Sequence, residues 1–307
     1  MLLGFQDDAL VSFFEQWRGQ APKPDFLTVY SYQYADVTMD NKMVGKRTLD
    51  DDFLSRRLGV LQAILKQIRF EIADVHVSEW NFTISNRCAI NDSCGQACYI
   101  VRNCLQVDSQ AQLLGYWHAT DLLSESYDTS QLLFGDSGLY TKNSIRKPAY
   151  YAFMFLNRLH HRIHYRDERC IVTSNDRGDI TILVNNYKRL SHRFLAMEED
   201  EITVDQQAGL YEDTNELTIE LTIDGLMNDE YLMKRHTVNR DYGSIQTLWR
   251  KLNYVDQFER EEMHYLSNVS MPDIQNSTIN VLDGSVRLKL KLAPFEISLI
   301  KIERGHQ

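Results

Sequence analysis

Val75-His76-Val77-Ser78-Glu79-Trp80-Asn81 is a short apolar run that ends on a carboxylate set between an aromatic ring and an amide. Such a run reads as a strand, and a charge has no place among buried apolar neighbours unless it is paired or put to use. In parallel α/β sheets and barrels, chemistry is placed at the carboxyl ends of the strands, which makes Glu79 the first candidate for a functional residue. Working outward, Phe26-Leu27-Thr28-Val29-Tyr30-Ser31-Tyr32 reads as the preceding strand and Leu113-Leu114-Gly115-Tyr116-Trp117 as the following one. After a polar loop, Leu54, Leu58, Leu61, Leu65 and Ile68 recur at steps of four and three, which predicts an amphipathic helix opened by Asp50-Asp51-Asp52. A second helix is expected through Ala97, Val101, Cys104 and Leu105, and another from Pro148 through Tyr151, Phe155, Leu156 and Leu159. Strand and helix alternate, so the strands should be parallel and joined by right-handed crossovers. Three such units are too few to close a barrel.

Beyond about residue 165 the period changes to two. Leu217, Ile219, Leu221 and Ile223 alternate with polar residues, as do Val286, Leu288, Leu290 and Leu292. Turn signals at Asn175-Asp176-Arg177-Gly178 and Leu282-Asp283-Gly284 precede strand runs, and an antiparallel β-sandwich is the economical reading. The division expected is an α/β part over residues 1–165 and an all-β part over residues 166–307.

The 307 residues carry 33 basic and 43 acidic side chains, a formal charge of −10 that repels phosphate backbones and anionic membranes. Nucleic acid is not an expected partner of this segment. The sequence shows neither a secretory signal nor a run of apolar residues long enough to cross a bilayer, so a cytoplasmic location is expected. Cys88, Cys94, Cys98 and Cys104 lack the paired spacing of a zinc site. His160 and His164, four apart on an expected helix, have no acidic partner, so no metal is expected; nor is any cofactor.

The order of these landmarks resembles glycoside hydrolase family 39, the clan A family of β-xylosidases and α-L-iduronidase. The resemblance is carried by Ser78-Glu79-Trp80-Asn81, by Tyr116-Trp117 with Asp121, by Phe134-Gly135 and Gly138-Leu139, by Lys147-Pro148-Ala149-Tyr150 with Phe153, and by Lys234-Arg235 and the closing strands to Ile302. It implies a (β/α)8 TIM barrel followed by a β-sandwich, and retaining hydrolysis of xylosides or related glycosides. Retention uses two carboxylates about 5 Å apart, one attacking the anomeric carbon and one serving as acid and then base. By resemblance Glu79 is the nucleophile, at the end of strand seven. Trp80 and Asn81 would orient it or line the pocket. Trp117, at the end of strand eight, would stack on the sugar, while Asp121 and Glu125 would accept hydrogen bonds from its hydroxyls. Tyr32 matches a tyrosine that bonds the nucleophile, and Tyr30 stands where the family usually has histidine.

The family's acid/base is the glutamate of an Asn-Glu-Pro motif on strand four, and the sequence has no such motif. Glu15, within the apolar pattern Leu10–Trp17, follows rather than precedes the relevant strand and reads as a surface residue. Matching the family order places Met1 near the end of strand five, so the expectation is a partial barrel of strands six to eight. Two functions stay open: a glycosidase completed by an upstream segment or by self-association, and a non-catalytic, sugar-sensing tail of a longer AraC-type regulator.

Overall fold

The computed structural model describes residues 7–20, 23–39, 42–122 and 129–305. Along the chain come α1 (Asp7–Arg18), β1 (Phe26–Tyr32), the hairpin β2 (Tyr34–Met39) and β3 (Lys42–Arg47), α2 (Phe53–Gln67), β4 (Asp74–Asn81), α3 (Cys94–Val107), β5 (Leu113–Tyr116) and α4 (Pro148–Leu156). Strands β1, β4 and β5 form a parallel sheet in that order, as the alternation of strand and helix predicts. The β2–β3 hairpin occupies what reads in sequence as a polar loop.

One face of the parallel sheet is sealed by helices. Leu27, Val29, Val75 and Val77 join Leu54, Leu58, Leu61 and Leu65 of α2 and Ala97, Ile100 and Val101 of α3 in a common core. The other face is open among the described residues: Phe26 is 51% exposed and Leu113 46%. Parallel strands are normally covered on both faces.

A bulge in β4 decides what each side of the sheet carries. Val29 pairs with Val77 and the next residue, Tyr30, with Glu79, so Ser78 is the extra residue; the ladder to β5 shifts at the same place. An inserted residue reverses the alternation of faces. Val75 and Val77 point into the core before the bulge, and Trp80 points into it afterwards. Glu79, which strict alternation would have buried with the valines, emerges half-buried instead. Gly115 makes the bulge possible, since a Cβ there would stand 2.5 Å from the Ser78 carbonyl oxygen.

The second half holds β6 (Arg162–Arg166), β7 (Cys170–Ser174), β8 (Ile180–Asn185), α5 (His192–Leu195), β9 (Leu217–Asp224), β10 (Glu230–Val238), α6 (Ile245–Lys251), α7 (Arg260–Val269), β11 (Asp273–Asn280), β12 (Ser285–Leu292) and β13 (Ile297–Arg304). An antiparallel sheet runs β11-β10-β13-β8-β7-β6, and β12 pairs with β9 in a second one. Val172, Ile182, Val184, Ile300 and Ile302 of the large sheet pack against Leu288, Leu290 and Leu292 of the small one. The other side of the large sheet meets the helices, because Ile171, Leu183, Ile297 and Leu299 belong to the same core as α3.

Two expectations shift. The antiparallel sheet already begins at Arg162, so the change of architecture falls within residues 157–161, ahead of residue 165. The histidines do not share a helix: α4 ends at Leu156, and His164 lies on β6 with its Nε2 2.7 Å from Ser174 Oγ. The apolar spacing of Leu156 and Leu159 mimics a further helical turn that the chain does not make.

Candidate active site

At the carboxyl end of the parallel sheet, Tyr30 and Tyr32 of β1 stand opposite Glu79 and Asn81 of β4. The two tyrosine rings lie 6.5 Å apart. The Tyr32 hydroxyl donates a short hydrogen bond to Glu79 Oε1. Burial, then the hydrogen bond to the Glu79 carboxylate, pushes the Tyr32 hydroxyl far above the usual tyrosine range, so it stays a donor. A glutamate placed half-buried by the bulge, with one oxygen held by a neutral phenol, is an oriented carboxylate suited to nucleophilic attack.

Trp117 follows β5 directly and is 40% exposed, an aromatic face available beside the strand ends. Its backbone is pinned from below. Its N–H donates to the Trp80 carbonyl at 3.1 Å, and its own carbonyl accepts from Asn81 Nδ2 at 2.5 Å. Asn81 is in turn set by Gln96 of α3, whose Nε2 donates to Asn81 Oδ1 at 2.6 Å and to the Tyr116 hydroxyl at 3.1 Å. The Trp117–His118 peptide bond is cis.

Three of the residues expected to touch sugar have other duties or other places. Trp80 is wholly buried, with its ring 5.9 Å from Tyr99 and 5.8 Å from Tyr116, because the bulge turns it into the core. Asn81 is likewise buried and acts through Trp117. Asp121 has no exposure and is spent on Lys147, 3.0 Å from its Nζ, and on the Gly138 N–H. Glu125 lies outside the described residues. Glu15 is exposed on α1, as expected.

Sequence reasoning passes over two groups. Gln96 is buried in α3 between Gly95 and Ala97, and a glutamine on the apolar side of a helix is the signal that marks it. The second group is Lys147 with Asp92, and His118 with Asp136. Lys147 is fully buried, its Nζ 2.6 Å from Asp92 Oδ1, while His118 Nε2 lies 3.0 Å from Asp136 Oδ1. Burial opposes the charge on Asp136, but hydrogen bonds from His118 and the Ser137 N–H, with the charges of His118 and Lys147, hold it below the usual carboxylate range.

The sequence of residues 12–287 matches the family model described as glycosyl hydrolases family 39. The chain belongs to that family. The chain is similar to the β-xylosidase of Geobacillus stearothermophilus, 27% identical over 244 residues, which are 80% of this chain and 44% of the relative. An uncharacterized HTH-type transcriptional regulator of Staphylococcus aureus is 23% identical over 278 residues, 88% of this chain and 35% of that protein. The chain thus spans less than half the length of both. In fold it is similar to the GH39 enzyme from Xanthomonas axonopodis pv. citri, with a TM-score of 0.79, 19% identity, and coverage of 97% of this chain and 57% of that one. A monomeric β-xylosidase from Caulobacter crescentus CB15 gives a TM-score of 0.78 and 17% identity, over 97% of this chain and 59% of that one. The mixed α/β fold of this family 39 chain is therefore that of the solved enzymes over nearly all of its own length.

Proposed function

We propose that the chain carries the nucleophile half of a retaining, β-xylosidase-type glycosidase site. The observation that carries this reading is Glu79, turned out of the core by a bulge and held by Tyr32 at the carboxyl end of a parallel strand. Trp117 supplies the platform for the apolar face of a pyranose, and Tyr30 lines the same end of the sheet. Glu79 attacks the anomeric carbon as the aglycone leaves, giving a glycosyl ester that water then hydrolyses with retention. The general acid/base is a carboxylate supplied from outside these residues, by an upstream segment or a partner chain.

In this reading β1, β4 and β5 are strands six to eight of a (β/α)8 barrel, and the antiparallel sheets are the β-sandwich behind it. The open face bearing Phe26 and Leu113 is then the inner wall of the barrel, covered once the remaining strands join. The setting is cytoplasmic and the ligand a carbohydrate; among the described residues no helix is long and apolar enough to cross a membrane.

Aryl β-xylosides with good leaving groups need little protonation and test the site without an acid. Slow turnover that azide accelerates is expected, with none from Glu79→Gln; azide-dependent turnover retained in Glu79→Gln would overturn the assignment. A second reading, a sugar-sensing tail without catalysis, is favoured by the S. aureus regulator matching 88% of the chain. Xyloside binding with no turnover under azide would select it.

A further inference from the structure

Beside Trp117 lies a buried charged group that the sugar site does not use. The Lys147 ammonium, at the N-cap of α4, is 2.6 Å from Asp92 Oδ1 and 3.0 and 3.1 Å from the two oxygens of Asp121. It also donates to the Asp136 carbonyl at 2.6 Å. Neither carboxylate is more than 2% exposed. Asp92 Oδ2 accepts from the Gly135 N–H and Asp121 Oδ1 from the Gly138 N–H, both at 2.8 Å. These bonds tie together the turn before α3, the segment after β5, the loop 135–138 and the start of α4.

Among the described residues the charges do not balance. One ammonium faces two carboxylates, and the nearby Asp136 carboxylate, bonded to His118 and the Ser137 N–H, adds negative potential rather than relieving it. Tyr116 also faces Lys147. A buried excess charge is costly, and two carboxylates sharing one site resist ionising together.

We propose that Lys147, Asp92 and Asp121 form a proton-binding site. The folded triad holds one proton, shared by the two carboxylates, and its loss loosens the segment Trp117–Asp121 from the loop 135–138. The inference does not depend on the sugar reading of the site.

Burial is the largest influence on both carboxylates, lifting Asp92 above its ordinary range and Asp121 from 3.8 to about 7 against the pull of Lys147. A carboxyl raised in the folded state binds its proton more tightly there. The stability it lends is complete below 3.8 and is lost as the pH rises through about 7. Across that window one proton raises the unfolding constant about tenfold per pH unit. His236 is held below its ordinary 6.5 by burial and by Arg158, Lys234 and Lys301, and gives a slope of opposite sign below that pH. It is common to all variants and cancels in their comparison.

Urea unfolding of the full chain, followed from about pH 4.5 to about pH 8.5, tests this with Asp92→Asn and Asp121→Asn. Either substitution leaves one carboxylate to one ammonium and should flatten the slope, so the ratio of wild-type to variant unfolding constants grows about tenfold per pH unit up to about pH 7. Acrylamide quenching of Trp117 should change over the same window in the wild type alone. Parallel slopes in all three proteins would overturn the proposal. Should neither variant fold, infrared spectra of Asp51→Asn carrying 13C-labelled aspartate decide, since burial also raises Asp51 and its band must be removed: a buried protonated-carboxyl band present at about pH 6 and gone by about pH 8.5 supports the site, and its absence refutes it.

Discussion

Asn81→Leu tests whether the amide beside the candidate nucleophile is a girder or a sugar contact. The Asn81 side chain has no exposure and serves three groups: the Trp117 carbonyl at 2.5 Å, the Phe82 N–H at 2.6 Å and Gln96 Nε2 at 2.6 Å. Leucine fills a similar volume but answers none of them. Gln96 retains the Tyr116 hydroxyl at 3.1 Å, so the groups left stranded are the two backbone ones. At about 1–3 kcal/mol for a buried polar group without a partner, the Phe82 N–H alone accounts for a loss of that size, and the carbonyl of the part-exposed Trp117 adds to it. A chain of this kind has about 5–15 kcal/mol to lose. Urea unfolding followed by circular dichroism should show the midpoint falling by about 1–2 M. Acrylamide quenching should rise or fall with it, since Trp117, at 40% exposure, is held by the bond being removed. A variant within about 0.5 kcal/mol of wild type, with unchanged quenching, would refute the reasoning and return Asn81 to the role of a ligand contact.

Trp80→Ala should cost about 3–5 kcal/mol in the same unfolding assay, because it empties a site with no exposure between Tyr99 and Tyr116. Trp117→Ala should leave stability within about 0.5 kcal/mol yet abolish the fluorescence change on titration with xylosides. Lys147→Met strips the counter-charge from Asp92 and Asp121 and should cost about 3–5 kcal/mol at neutral pH. That cost should shrink as the pH falls and the freed carboxylates protonate, which unfolding at two pH values would register.

The parallel sheet was legible because Val75, Val77 and their neighbours on β1 are β-branched or aromatic and alternate with helical spacing at Leu54, Leu58, Leu61 and Leu65. The antiparallel pairing of β9 with β12 followed from strict alternation in both. What the sequence hid is the phase of β4. Val-His-Val-Ser-Glu-Trp-Asn carries no mark of a bulge, and without one Trp80 and Glu79 exchange faces; only Gly115, on the neighbouring strand, hints that something must approach closely. Asp121 misled for a different reason. A carboxylate after a strand end looks solvated until its partner Lys147 is known, and that partner lies 26 residues away. The helix expected to carry His160 and His164 stops at Leu156, because apolar residues flanking its end continue the helical spacing into a turn and a strand.

The assignment of Glu79 is tested most directly by a 2-deoxy-2-fluoro-xylosyl donor with a dinitrophenolate leaving group, which departs without a proton and so does not require an acid/base residue. Intact-mass analysis followed by peptide mapping should find one fluoro-xylosyl group, as an ester on Glu79, and none on Glu79→Gln. A label on any other carboxylate, or no label on a chain that still binds xylosides, would contradict the account.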